Sequence, residues 1–164
     1  MNKLYSSIIK AGLLAGTLDI LAAINSYYLR RGRGPEGVFR YIASGAFGSK
    51  AFTGGGEMIV AGIIFHYLIA FGFTILFFAV YPKVKRIAAI NIVITGFVYG
   101  LIAWLLMNLL VVPLSNTPPV KQDLTQVITG MLFLMVFIGL PVAFIAGKYF
   151  KRSNGATQPP IAGE

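Results

Sequence analysis

MIVAGIIFHYLIAFGFTILFFAV, Met58 to Val80, runs 23 residues without an Asp, Glu, Lys or Arg. About 20 such residues cross a ~30 Å hydrocarbon core as an α-helix rising 1.5 Å per residue. Lipid offers no hydrogen-bond partner to the backbone, so the stretch has to close its bonds internally, as a helix. Ile87 to Leu114 is a second run of the same kind. Working outward, the sequence divides into spans at about 7–29, 57–81, 88–112 and 124–149. The predicted fold is an all-α membrane protein, four transmembrane helices in an antiparallel bundle, followed by a disordered polar tail over 151–164.

Composition agrees. The 164 residues are 57% hydrophobic and 12% charged, and mean hydropathy is +0.78. A soluble domain this apolar would have too little polar surface. No separate soluble catalytic module fits in this length. With no cysteine and one histidine, His66, disulfides, thiolate metal sites and paired-histidine haem sites are excluded within one chain, and no cofactor or metal site is predicted. The net charge of +9 lies mostly beside apolar segments. It points to the lipid bilayer and its anionic headgroups as partners rather than to nucleic acid.

Lys3 and Lys10 ahead of an apolar run also fit a cleaved signal peptide, but Asp19 inside the run favours an uncleaved helix. Tyr27, Tyr28, Tyr81 and Tyr149 fall at span ends, as interfacial rings do, and Pro82, Pro113, Pro118 and Pro119 fall in connections. Pro141 lies inside the fourth span and predicts a kink. Within the long first connection, residues 36–52 place Phe39, Ile42, Ala43 and Ala46 on one arc. This reads as a short interfacial helix, with a re-entrant hairpin as the competing arrangement.

Lys3, Lys10, Lys83, Lys85, Arg86, Lys148, Lys151 and Arg152 face one side, eight in all, against six on the other: Arg30, Arg31, Arg33, Arg40, Lys50 and Lys121. That excess places both termini in the cytoplasm. Arg30, Arg31, Arg33 and Arg40 are the candidate headgroup-binding residues. Gly12-x-x-x-Gly16 and Gly96-x-x-x-Gly100 open the first and third spans as helix-packing faces, within one chain or between copies in a homo-oligomer. Their recurrence is a faint repeat of two helices per half.

Asp19 is the sharpest chemical feature, because a carboxylate at mid-span costs at least ~2.5–3.5 kcal/mol unless partnered or protonated. Counting from the helix starts puts Asp19 and His66 at similar depth, a candidate intramembrane polar pair. A plain helix-to-helix hydrogen bond explains the same residues. Asn25, Glu57, Asn108 and Trp104 are candidate cavity-lining residues toward the first connection. The bland alternatives are a helix-start carboxylate for Glu57 and packing for Trp104.

The chain resembles small bacterial inner-membrane proteins of unassigned function related to the YagU family. The likeness rests on Gly12-Leu13-Leu14-Ala15-Gly16-Thr17-Leu18-Asp19, Tyr41-Ile42-Ala43-Ser44-Gly45-Ala46-Phe47-Gly48, Gly62-Ile63-Ile64-Phe65-His66, and Tyr99-Gly100 through Trp104 to Met107-Asn108 and Pro113. It implies a four-helix bacterial inner-membrane protein without an assigned reaction. The second histidine of that pattern is missing from the last segment, so a paired-histidine role does not carry over. Three functions stay open: a channel or transporter-like protein for protons or a small solute, a non-catalytic scaffold or accessory subunit, and a lipid- or quinone-linked enzyme.

Overall fold

The structure, a computed structural model, describes residues 3–87, 91–120 and 123–155. Four helices are long and apolar enough to cross a membrane: Lys3–Arg31, Gly56–Lys85, Ile92–Leu114 and Leu124–Arg152. They are the first to fourth spans below, and the chain is a multi-pass integral membrane protein of all-α bundle fold. Its outer face is apolar, with Leu68 67% and Leu109 71% exposed. Its interior combines small residues, among them Ala11, Ala15, Ala143 and Ala146, with buried aromatic rings. The small residues suit lipid, where they allow helices to approach.

Both glycine motifs pack against the next span of the same chain. A Cβ at Gly12 would overlap the Phe71 ring, and one at Gly16 would press on Tyr67 and Ala70. A Cβ at Gly100 would overlap Met135 backbone, and one at Gly139 would overlap the Gly96 carbonyl. The motifs are thus occupied within the monomer, joining first span to second and third to fourth. Ala11 and Ala15 bring the first span against Val142, Ala143 and Ala146 of the fourth, in a core that also holds Phe77, Phe78, Tyr81 and Tyr99.

Several boundaries differ from the sequence reading. The second helix continues through Pro82 to Ile87, so Pro82 lies in helix rather than in a connection. Tyr81 is buried in the bundle, its ring 5.6 Å from that of Phe150, instead of sitting at the interface. The third span begins at Ile92, and the expected start at 88–90 lies outside the described residues. Pro113 is helical, in the final turn Val112–Leu114. The last helix, Leu140–Gly155, extends into the expected tail, of which 156–164 lies outside the described residues.

Two π-helical turns interrupt the spans, Met107–Val111 in the third and Leu134–Gly139 in the fourth. The second ends just before Pro141. A wider turn there accommodates the missing Pro141 donor and the proline ring, so the break that Pro141 predicts is expressed as a π-bulge.

The first connection forms two helices, Glu36–Phe47 and Lys50–Thr53, where the sequence reading has one over 36–52. Gly48, at φ 61° and ψ −148°, takes a positive-φ conformation open essentially only to glycine, which turns the chain between them. The longer helix lies directly on the second span: a Cβ at Gly62 would overlap the Phe39 carbonyl. Its far end is tied to the loop after the third span by Asn116 N–H donating to the Gly45 carbonyl at 2.9 Å.

Gly100→Leu should therefore destabilise the purified protein by about 1–3 kcal/mol or more through overpacking. Gly72, with nothing within 4 Å of an added Cβ, should accept Ala with little change. Thermal unfolding in one detergent compares the two.

Candidate functional site

The buried His66 and a pair of hydroxyls meet where the first span crosses the second. Gly16 lacks a side chain, which lets the second span close in and sets His66 Nε2 2.8 Å from the Gly16 carbonyl oxygen. A carbonyl only accepts, so Nε2 carries the proton, and in neutral His66 the lone pair is on Nδ1. One residue along each helix, the Thr17 and Tyr67 hydroxyls hydrogen-bond at 2.9 Å. The Tyr67 ring stands edge-on to the imidazole, centroids 5.4 Å apart. His66 is buried, 8% exposed.

Asp19 lies one helical turn beyond Gly16 on the same helix and is half-buried. Among the described residues no hydrogen bond joins it to His66, whose Nε2 goes to the Gly16 carbonyl. Among the described residues the Asp19 carboxylate has no hydrogen-bond donor. Two titratable side chains and two hydroxyls therefore lie along the crossing of the first two spans. Gly16, Thr17 and Tyr67 were not singled out as polar partners in the sequence. Their signal is there, in Thr17 and Tyr67 standing beside the motifs that carry Gly16 and His66.

The other candidates are scattered. Asn25 is exposed on the first span. Glu57 is exposed at the start of the second and accepts from the Gly55 N–H at 2.7 Å, a local helix-start contact. Trp104 is half-buried, its indole nitrogen facing Gly130 of the fourth span. Asn108, in the first π-turn, donates to the Trp104 carbonyl at 2.9 Å and alone of the four lines the cavity beneath the connection helix. That cavity, about 550 Å³, is bounded also by Tyr41, Val112, Thr117 and prolines 113, 118 and 119. Burial pushes the Tyr41 phenol above its ordinary value, which keeps it protonated and able to donate.

Arg40 is engaged within the chain through one nitrogen: Nη1 donates to the carbonyls of Ala51 at 3.2 Å, Phe52 at 3.4 Å and Gly54. The end of the short helix would otherwise leave these acceptors unpaired. Arg30, Arg31 and Arg33 are exposed, the first two in the last turn of the first span, where cations complement the helix dipole.

A second cavity, about 130 Å³, lies between the second and third spans and is lined by Phe77, Tyr81, Val84, Val98, Tyr99 and Ile102 among others. Here the helices meet through side chains more than by close backbone approach. The Tyr99 hydroxyl reaches over to donate to the Phe73 carbonyl, and its ring packs edge-on to Phe77 at 4.6 Å. Among the described residues no three His, Asp or Glu gather to hold a metal ion.

Comparison with protein-family models, with curated proteins and with solved structures finds no match to this chain.

His66→Leu should lower thermal stability in detergent by ~0.6–1.7 kcal/mol, the range for an interhelical hydrogen bond in a membrane bundle. His66→Gln, whose amide can also donate to Gly16, should recover most of the loss.

Proposed function

We propose that the protein moves protons, or a small solute coupled to protons, across the membrane along the seam between the first and second spans. Asp19 is the proton-carrying group and His66 its partner. The observation that carries this reading is a carboxylate within the first span with no hydrogen-bond donor among the described residues, one helical turn from the Gly16 carbonyl that holds the buried His66. A carboxylate so placed is costly and is characteristic of proton and ion pathways. Since Nε2 is committed to Gly16, proton exchange falls to Nδ1. The Thr17–Tyr67 pair extends the seam with exchangeable hydroxyl protons.

A second reading is a non-catalytic scaffold or accessory subunit that acts through helix contacts. It is favoured by the buried side-chain polar atoms, none of which lacks a partner among the described residues. The wider setting belongs to the same proposal: kinship with YagU-type proteins, a bacterial inner membrane, cytoplasmic termini, and anionic headgroups at Arg30, Arg31 and Arg33.

Proteoliposomes with an internal pH dye and an imposed potential test the transport reading. Wild-type protein should acidify or alkalinise the lumen with the sign of the potential. Asp19→Asn should cut the rate at least ~100-fold, the low end of what removal of a proton-transferring group costs. His66→Gln, which preserves the Gly16 bond, should also slow it. Equal rates in wild type and both variants would refute transport and leave the scaffold reading.

A further inference from the structure

The cleft between the second and third spans is apolar, yet it reaches the basic end of the second helix, where Lys83 and Lys85 lie. Two of its three polar side chains spend their donors within the chain. The Tyr99 hydroxyl donates to the Phe73 carbonyl, and the Thr95 hydroxyl donates to the Asn91 carbonyl at 3.1 Å. An occupant therefore finds mostly hydrocarbon and aromatic surface, and no free donor on these two side chains. Val98 and Ile102 are 49% and 44% exposed, so the cleft is entered sideways from the membrane.

At its outer end the lining reaches Val84. Lys83 and Lys85 flank that residue, both exposed and with no carboxylate partner among the described residues. The third span starts at Ile92 on the same side, adding the partial positive charge of a helix N-terminus.

We infer that this cleft seats one acyl chain of an anionic glycerophospholipid, whose phosphate is held at the mouth by Lys83 and Lys85. A volume of about 130 Å³ takes part of one chain, with the remainder in the bilayer. The lysine stems lie along apolar surface while their ammonium groups reach the headgroup level. Charge complementarity selects an anionic lipid over a zwitterionic one. The site is separate from the Asp19–His66 seam and does not depend on it.

Native mass spectrometry of protein released from nanodiscs of phosphatidylcholine with a minor fraction of phosphatidylglycerol tests the site. Wild type should retain phosphatidylglycerol. Replacing both lysines, Lys83→Gln with Lys85→Gln, should lower its retention roughly 10- to 30-fold and leave phosphatidylcholine adducts at their wild-type level. Val98→Trp, which fills the cleft, should remove both adducts, with Ile102→Phe as a milder filling should the tryptophan variant not fold. Three results would overturn the proposal: phosphatidylglycerol retained at the wild-type level by the filled variants, its loss on replacing Arg30, Arg31 and Arg33 instead of the lysines, or a protein dimer that Val98→Trp disrupts without lipid bound.

Discussion

In hydrocarbon a buried hydrogen-bonding group can be satisfied only by another part of the protein. At the crossing of the first two spans that constraint is met by Gly16, whose missing side chain lets His66 reach a backbone carbonyl at 2.8 Å. The Thr17–Tyr67 bond repeats the solution one residue along. Together they tie the two spans to each other, with Asp19 one helical turn from the Gly16 carbonyl that His66 binds. The proton-handling reading depends on this contact.

The same economy of space organises the other half. Gly96, Gly100 and Gly139 bring the third and fourth spans to backbone contact, while Ala11 and Ala15 join the first span to the fourth. The second and third spans are the exception, linked by a tyrosine rather than by small residues. The bundle is therefore close-packed along three seams and open along the fourth, where lipid has access. Because both glycine motifs are occupied within the chain, self-association would need another surface.

Much of the architecture is legible in the sequence, because the absence of charge over 23 residues is enough to identify a span. Ends are harder to read. Pro82 marks a break only if propensity decides, but the packing of Tyr81 against Phe150 carries the helix onward. Gly48 signals the turn within the first connection, yet hydrophobic periodicity runs across it and suggests one helix. Depth counting suggests Asp19 as the partner of His66, whereas the hydrogen bond goes to the Gly16 carbonyl, since a backbone carbonyl leaves no mark in composition. Arg40 looks like a headgroup ligand for the same reason: its partners are the carbonyls of Ala51, Phe52 and Gly54.

As the chain's one histidine, His66 can be observed selectively by imidazole-¹⁵N labelling and solid-state NMR of the protein in bilayers. The account predicts neutral His66 as the Nε2–H tautomer, with that proton correlated to the Gly16 carbonyl carbon. A neutral imidazole protonated on Nδ1, or an Nε2 proton with no correlation to Gly16, would contradict it.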